Sequence, residues 1–387
     1  MAERIEAKEL QGFKYFSLVS GLLAKVAKAG CERDKAGNRE LHFDQYALLI
    51  LLYYFSPVID SLRGLQQVTQ LEKVQKLCGV KATSLGSLSE AARVFDPALL
   101  EPMIAELSQR ALASSQVLPT DQRRALKDLV AVDGSLLKAL PRMAWALWQD
   151  AEHRAAKMHV AFAVIPGVPV NVTVTPGIGA EREQWRKMVQ PGGFYVADRG
   201  YADFSLFREL DEQGVRFLVR VQENTVFEVL EERPLTDADR AAGVIRDVTI
   251  RRLGTEKHNP LLARPMRIVE TRGTAPDHRW ILATNDLNLT AELVAIAYHQ
   301  RWQIELFFRW LKCVLGCRHL LSHSRSGVTL QVYLAIIATL LISLWTEIKP
   351  TKRVFEMLCL HLSGWATETE VQTLLTKLRP KPPPSKP

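Results

Sequence analysis

The hydrophobic pattern divides the chain into a helical first third and a mixed second part. Apolar residues recur at three- and four-residue spacing over 62–77 and 97–113, and 43–55 is almost continuously apolar. This period is typical of helices with one buried face. The polar and basic stretch 114–128, which contains a proline, predicts a linker.

After this linker the period becomes that of strands. Residues 157–165 and 168–175 alternate in strand fashion around a Pro-Gly pair, which predicts a hairpin. Short strands are predicted at 194–197 and 215–221, and a helical segment precedes each of them. Strands that alternate with helices in this way predict a mixed α/β domain.

The last part of the chain returns to helices after an interruption. Residues 222–285 are rich in Val, Ile, Arg and Thr and predict a β-rich insertion, and 290–315 predicts one long helix. The stretch 328–346 has no charged residue and is nearly as long as a membrane span of about 20 residues. Its polar residues favour a buried core helix, with a membrane protein as the alternative. Residues 379–387 are rich in Pro and Lys and predict a disordered basic tail.

Composition and charge narrow the class of protein. Hydrophobic residues make up 47% and charged residues 24% of the chain, as in ordinary globular proteins. Five cysteines in 387 residues are too few for a disulfide framework, so a reducing, cytoplasmic setting is predicted. The net charge of +8 is concentrated in residues 291–387, where 12 Lys and Arg face 6 Asp and Glu. Such a local excess suits a polyanion, although a solvated basic surface is the alternative.

Two acidic residues stand at the ends of apolar strands. Asp133 follows Leu-Val-Ala-Val, and Asp198 follows Phe-Tyr-Val-Ala. Strand ends are where ligand chemistry gathers in open α/β sheets, and carboxylates there can hold a divalent metal. For each residue taken alone, a turn or helix-cap aspartate is the alternative.

The predicted helix 290–315 carries a narrow polar stripe. With Tyr298 set at 0°, Arg301 falls at about 300°, Glu305 at about 340° and Lys312 at about 320° around the helix. The other residues around this stripe are bulky and apolar, so the helix is predicted to be buried. A polar stripe on a buried helix has to face a cavity, a partner charge or a ligand. A structural salt bridge is the alternative to a phosphate-binding role.

Three motifs together resemble a known family. The spacing Tyr-x2-Arg-x3-Glu-x6-Lys from Tyr298 to Lys312 resembles the signature of Asp-Asp-Glu (DDE) transposases of the insertion-sequence-four family. Val-Ala-Val-Asp-Gly-Ser around Asp133 resembles the first Asp motif of that family, and Asp-Arg-Gly-Tyr from Asp198 resembles the second. The resemblance covers about residues 125–347. It implies an α/β (α+β) protein with a ribonuclease H-like catalytic domain.

The resemblance also implies the chemistry of the site. Asp133, Asp198 and Glu305 would be the catalytic residues and the ligands of two Mg²⁺ ions, with Mn²⁺ able to substitute. Cleavage and joining of DNA strands would use this one site, because both are in-line attacks on phosphorus.

DNA contacts are implied for five further residues. Tyr298, Arg301 and Lys312 would contact phosphates at the transposon end, and Arg199 would contact DNA beside the second Asp. Trp280 is a candidate surface for stacking a flipped base, and a Trp packed in the core is the alternative.

The expected protein is a cut-and-paste transposase that binds double-stranded DNA at terminal inverted repeats and at the target. It would act as a homodimer or larger synaptic complex in the bacterial cytoplasm, at the nucleoid. The alternatives are a ribonuclease H-like nuclease without strand transfer and a catalytically inactive DNA-binding relic. The predicted organisation is a helical end-recognition domain (1–120), a catalytic domain (125–221 plus 286–325), the β-rich insertion (222–285), C-terminal helices with a possible role in oligomerisation (326–378) and the tail (379–387).

Several other groups have structural interpretations. The spacing of Cys313, Cys317 and His319 is compatible with zinc, but these residues fall on or beside the buried helix without a second pair. His159 is predicted to be a structural histidine, and Asp203 is predicted to cap a helix.

Basic residues outside the stripe are candidates for phosphate contact. On the insertion these are Arg246, Arg251, Arg252 and Lys257, where a solvated strand face is equally compatible with the sequence. On the helix predicted at 62–77 they are Arg63, Lys73 and Lys76.

Overall fold

One mixed sheet runs through the fold and has helices on both faces. The computed structural model describes residues 21–24, 39–56, 58–114, 121–150, 152–273 and 278–378. The strands are β1 Leu129–Ala139, β2 Arg154–Ala163, β3 Val168–Pro176, β4 Phe194–Ala197, β5 Arg216–Val221, β6 Phe227–Glu232, β7 Val244–Leu253, β8 Met266–Arg272 and β9 Arg279–Thr284. They lie in the order β3-β2-β1-β4-β5-β9-β8-β7-β6. Strand β4 is parallel to β1 and to β5, and the other pairs are antiparallel.

The helices precede, interrupt and follow this sheet. Before it come α1 Phe43–Phe55, α2 Leu62–Val68, α3 Glu72–Cys78, α4 Leu85–Val94, α5 Glu101–Ser114 and α6 Asp121–Ala125. Between strands lie α7 Glu181–Met188, α8 Phe204–Glu212 and α9 Asp237–Ala241. After it come α10 Ala291–Gln300, α11 Trp302–Arg309, α12 Arg325–Thr346, α13 Lys352–Leu362 and α14 Glu368–Leu378.

The alternation along β1 decides which way its residues face. Leu129 and Ala131 belong to the core shared with the N- and C-terminal helices, whereas Val132 belongs to the core beneath α7 and α8. Side chains of a strand alternate between its faces. Asp133 therefore points to the same side as Ala131, toward α10 and α11.

The predicted hairpin is confirmed by the register of β2 and β3. Strand β2 pairs antiparallel with β3, and Gly167 turns between them with φ of 74°. A positive φ of this size is easily adopted by glycine, which explains the Pro-Gly signal. The predicted strand 194–197 is also found, as β4.

The long apolar helix α12 is the centre of the helical part. It packs against α1, α4, α5 and β3. It is long and apolar enough to cross a membrane by length and composition, but 94% of its apolar window is buried inside the protein. This burial confirms the interpretation as a core helix. The helix ends at Thr346, where Glu347 turns with a left-handed φ of 56°.

Three predictions of local structure are corrected. The single helix over 290–315 is wrong, because α10 ends at Gln300 and α11 continues into a π-helix over Trp310–Val314. The helix over 62–77 is divided into α2 and α3, since the Thr69 hydroxyl donates to the Gln66 carbonyl at the end of α2. Helix α6 lies within the predicted linker 114–128. Residues 115–120 of that linker, the tail 379–387 and much of 1–38 fall outside the described residues.

The predicted β-rich insertion extends the central sheet. Strand β9 pairs antiparallel with β5, and β8, β7 and β6 follow outward from it. The insertion therefore returns the chain to its starting point, because its last strand, β9, lies beside β5, the strand that precedes the insertion. The domain boundaries themselves stay a prediction.

His159 leads to a prediction about stability against pH. It is fully buried on β2, and its Nε2 lies 2.9 Å from the hydroxyl of Thr175. Burial, followed by the charge of Lys157, lowers the pKa of His159 to about 4. An unfolded histidine titrates near 6.5, so the unfolded chain binds the proton more readily. We expect this residue to remove up to about 3 kcal/mol of stability as the pH falls from 6.5 to 4.

Urea unfolding at several pH values checks this expectation for His159. The variant His159→Gln should show a flatter dependence on pH over this range than the unmodified protein. The exposed His153 supplies the control, since His153→Gln should retain the dependence. Parallel pH profiles for His159→Gln and the unmodified protein would contradict the assignment.

Candidate active site

Asp133 is the fifth residue of β1, which continues to Ala139, so the prediction that it ends a strand is wrong. Asp198 directly follows the parallel neighbour β4, as predicted. Asp133 Oδ1 accepts a hydrogen bond from its neighbour Gly134 N–H at 2.7 Å. Asp198 begins a one-turn 3₁₀ helix, and its Oδ1 accepts from Gly200 N–H at 2.8 Å. The pKa of Asp133 is raised to about 7, first by burial and then by the charge of Asp198. This effect of Asp198 on Asp133 indicates that the two carboxylates are close together.

Arg301 connects the third acid to this pair. Its guanidinium lies 2.6 Å from Glu305 Oε1 and 3.8 Å from Asp133 Oδ2. The Arg301 side chain is only 15% exposed. The break between α10 and α11 falls at this arginine, at the point where the helix faces β1.

The remaining stripe residues lie on the same side of the helix. Lys312 Nζ donates to Ser135 Oγ on β1 at 2.9 Å. Tyr298 is buried, and its ring centre lies 5.9 Å from the guanidinium carbon of Arg301. Both cations of the stripe, Arg301 and Lys312, therefore contact residues of β1, and Tyr298 packs beside Arg301.

Trp280 and Arg199 lie close to these groups in different settings. Trp280 is half-buried on β9, and its ring centre is 5.2 Å from that of Tyr298. The guanidinium carbon of Arg220 lies 5.6 Å from the Trp280 ring. Arg199 is exposed in the turn after Asp198. Neither environment tests a contact with DNA, so both roles stay predictions.

Glu181 is a fourth carboxylate that the sequence reasoning missed. It begins α7, and a Cβ built on Gly134 or Gly200 would lie 3.1 Å or 3.4 Å from its carboxylate oxygens. Lys157 pairs with it at 2.8 Å. The charge of Glu181 is also among the causes that raise the pKa of Asp133. An acidic residue in the first turn of a helix is a common cap, so the sequence carried no signal of this position.

The donor set fits a hard divalent cation at the two aspartates. Their oxygens are the ligands that Mg²⁺ prefers, and their repulsion is relieved by a cation. The fully buried Tyr201 hydroxyl also has no hydrogen-bond partner in the described structure. Burial, and then the charges of acids that include both aspartates, raise the pKa of Tyr201. Among the described residues, no three acidic, histidine or cysteine side chains already converge on one point. Glu305 instead holds Arg301.

The other sequence candidates have structural roles. Asp203 Oδ1 accepts from the N–H groups of Ser205 and Leu206, which confirms the predicted cap. Cys317 is buried while Cys313 is exposed, and no metal-binding group involving them is found among the described residues.

Comparison with known proteins assigns the family. The family model described as "Transposase DDE domain" matches residues 124–341, which is more than half of the chain. The chain belongs to the DDE transposases, of the insertion-sequence-four type. The matched range contains Asp133, Asp198 and Glu305 as well as the whole polar stripe.

Individual relatives of this chain differ in sequence identity and in the length that they share with it. The chain is 30% identical over 187 residues to a protein with a transposase name, y4zB of Sinorhizobium fredii. It is 27% identical over 202 residues to a transposase assigned to the element IS5377 of Geobacillus stearothermophilus. The chain spans about half the length of both (52% each). A transposase assigned to IS4SA of Synechocystis is 19% identical over 82% of its length.

A solved structure is a distant match to this chain. It is the piggyBac transposase synaptic complex with hairpin DNA, with a TM-score of 0.44 and 12% identity. The match covers 98% of this chain and 87% of that chain. At this distance it carries no argument about the site.

The arginines of the predicted β-rich insertion are largely neutralised by glutamates. Arg246 contacts Glu232 at less than 3 Å and also pairs with Glu270. Arg251 and Arg252 both pair with Glu228. These ion pairs favour the interpretation as a strand face over one as a phosphate-binding surface.

Proposed function

We propose that the protein is a cut-and-paste DNA transposase of an insertion sequence. It would bind terminal inverted repeats and use Asp133, Asp198 and Glu305 for both strand cleavage and strand transfer. The observation that carries this proposal is the contact of one largely buried guanidinium, that of Arg301, with both Asp133 and Glu305. Asp133 lies on β1, Asp198 directly follows the parallel neighbour β4, and Arg301 links Glu305 to Asp133. The strand order β3-β2-β1-β4-β5 supports the ribonuclease H-like architecture expected for such an enzyme.

The residues around the acids have distinct tasks in this proposal. Backbone N–H groups of Gly134 and Gly200 fix the orientation of the two aspartates. Arg301 and Lys312 provide positive charge beside them, and a DNA phosphate would compete for these cations as a bidentate and a point-charge partner.

DDE transposases generally use divalent metal ions. Here Asp133 and Asp198 would hold Mg²⁺, and Glu305 would join them when Arg301 exchanges its carboxylate partner for phosphate. The bound metal would activate the attacking oxygen and stabilise the leaving one. Association with the nucleoid and assembly as a homodimer or larger complex on two DNA ends are parts of the same proposal.

The test is processing of a labelled duplex that carries the element's terminal repeat. With Mg²⁺, we expect cleavage at the repeat end and joining of that end into a second duplex. Without a divalent metal, we expect neither. Cleavage without joining would favour the nuclease alternative. Binding without cleavage would favour an inactive DNA-binding relic.

A further inference from the structure

A second basic surface lies away from the carboxylates, in a cleft between the N-terminal helices and the end of β1. Its volume is about 1060 Å³. Five cations line it, from four separate segments of the chain, with Asp60 as the single lining carboxylate. These five, here named the cleft cations, are Arg63, Arg93, Lys138, Arg142 and Arg318.

The cleft cations lack acidic partners among the described residues, unlike many other basic residues of that part of the chain. All five are exposed, and none forms an ion pair with a carboxylate of the described residues. By contrast, Arg246, Arg251 and Arg252 on the sheet are held by glutamates. Uncompensated positive charge that converges on one concave surface attracts a polyanion.

The walls of the cleft are tied together by hydrogen bonds. Trp145 Nε1 donates to the carbonyl oxygen of His323 at 2.8 Å, and Arg142 contacts the ring of the same histidine at 2.8 Å. Burial, then the charges of Arg142 and Arg93, lower the pKa of His323. Arg93 on α4 and Arg142 after β1 therefore place positive charge around the same histidine.

Strand β1 carries both Asp133 and the cleft residue Lys138, with their side chains on opposite faces of the strand. Lys138 follows Asp133 by five residues on this strand, a distance of about 17 Å at 3.3–3.4 Å per residue. One DNA strand advances about 3.4 Å per nucleotide. A strand whose reacting phosphate lies at Asp133 would therefore reach the cleft about five nucleotides away.

We propose that this cleft binds the phosphate backbone of the transposon-end duplex, about five nucleotides from the reacting phosphate. The inference rests on the proposed function, because it takes the position of the reacting phosphate from it. The contacts supply affinity and register without reading sequence. The transposon end is assigned here because cleavage precedes joining and already requires DNA on both sides of the site.

The experiment compares variants that remove the same charge in different places. The cleft variant is Arg93→Ala with Arg142→Ala and Arg318→Ala. The control variant is Lys81→Ala with Arg110→Ala and Lys352→Ala, three exposed cations that are paired with glutamates outside the cleft. A third variant replaces the three cleft arginines with lysine. Thermal unfolding establishes that each protein is folded.

Binding of a mixed-sequence duplex of about 30 base pairs is measured over a range of salt concentrations. Each lost phosphate contact lowers the salt slope by about 0.9. We expect the cleft variant to lose about three units of slope and about a hundredfold in affinity at 0.1 M salt. The control and lysine variants should stay within a few-fold of the unmodified protein.

The outcomes separate this inference from the proposed function. If the unmodified protein binds and cleaves DNA while the cleft variant binds equally well, the cleft assignment is wrong and the proposed function stands. If the cleft variant cleaves ends normally and fails only in joining, the cleft holds target DNA, which overturns the assignment to the transposon end. Preferential binding of duplex RNA, lost in the cleft variant, would also overturn it. If the unmodified protein neither binds nor cleaves DNA, both proposals fail.

Discussion

The variant Glu305→Gln is expected to lose at least about a thousandfold in Mg²⁺-dependent cleavage while it retains binding of duplex DNA. Glutamine keeps the size of the side chain but removes the negative charge that a metal ligand needs. Metal stabilisation of developing charge contributes several kcal/mol, and about 1.4 kcal/mol corresponds to a factor of ten in rate. Cleavage of an end-labelled duplex and a parallel binding titration measure the two properties.

This substitution should leave the fold nearly unchanged. The Glu305 side chain is one-third exposed, and its ion pair with Arg301 links adjacent turns of the helix. Pairs of this kind contribute less than about 1 kcal/mol. Glu292→Gln, in the first turn of α10, is the matched control, since its carboxylate contacts only Gln122 among the hydrogen-bonded side chains described here. If Glu305→Gln cleaved at more than a tenth of the unmodified rate, Glu305 would not be a catalytic ligand.

The positions of Asp133 and Asp198 were predictable because their signals are local. A short apolar run before each Asp indicates a strand without any distant contact, and Asp198 does follow the end of β4. At Asp133 the same signal placed the strand end too early, because Gly134 and Ser135 hide the continuation of β1 to Ala139. The resemblance added Glu305, which a helical wheel alone places on a stripe but not opposite a particular strand. Only the fold brings that stripe to β1, through Arg301 and Ser135.

The features that were missed depend on contacts across the sheet or between distant segments. Glu181 lies at the acid cluster because α7 begins beside Gly134 and Gly200, far from either in sequence. The break at Arg301 and the π-helix after it leave the apolar pattern unchanged, so periodicity predicts one continuous helix. The cleft cations come from four segments, and no window of sequence contains more than two of them.

The largest effect on stability is expected at Arg267, whose variant Arg267→Ala should lose about 3–5 kcal/mol in the free energy of unfolding. Its side chain is 1% exposed and binds both carboxylate oxygens of Asp247, at 2.7 and 2.6 Å. It also donates to the carbonyl of Leu289, directly before the cap of α10. Removal of one partner leaves a buried carboxylate without its bidentate counterion, which is more costly than loss of the pair itself.

The double variant Arg267→Met with Asp247→Leu tests that reason. Because a well-packed apolar pair can replace a buried ion pair at little cost, it should recover most of the lost stability. Arg251→Ala is the control on the neighbouring strand β7, where an exposed arginine paired with the partly exposed Glu228 should contribute about 1 kcal/mol or less. Urea unfolding followed by circular dichroism compares all three. A midpoint for Arg267→Ala equal to that of the unmodified protein would refute the argument. A loss confirmed for Arg267→Ala would mean that the β-rich insertion helps to anchor the helix leading to Glu305, because the same arginine holds β7, β8 and the start of α10.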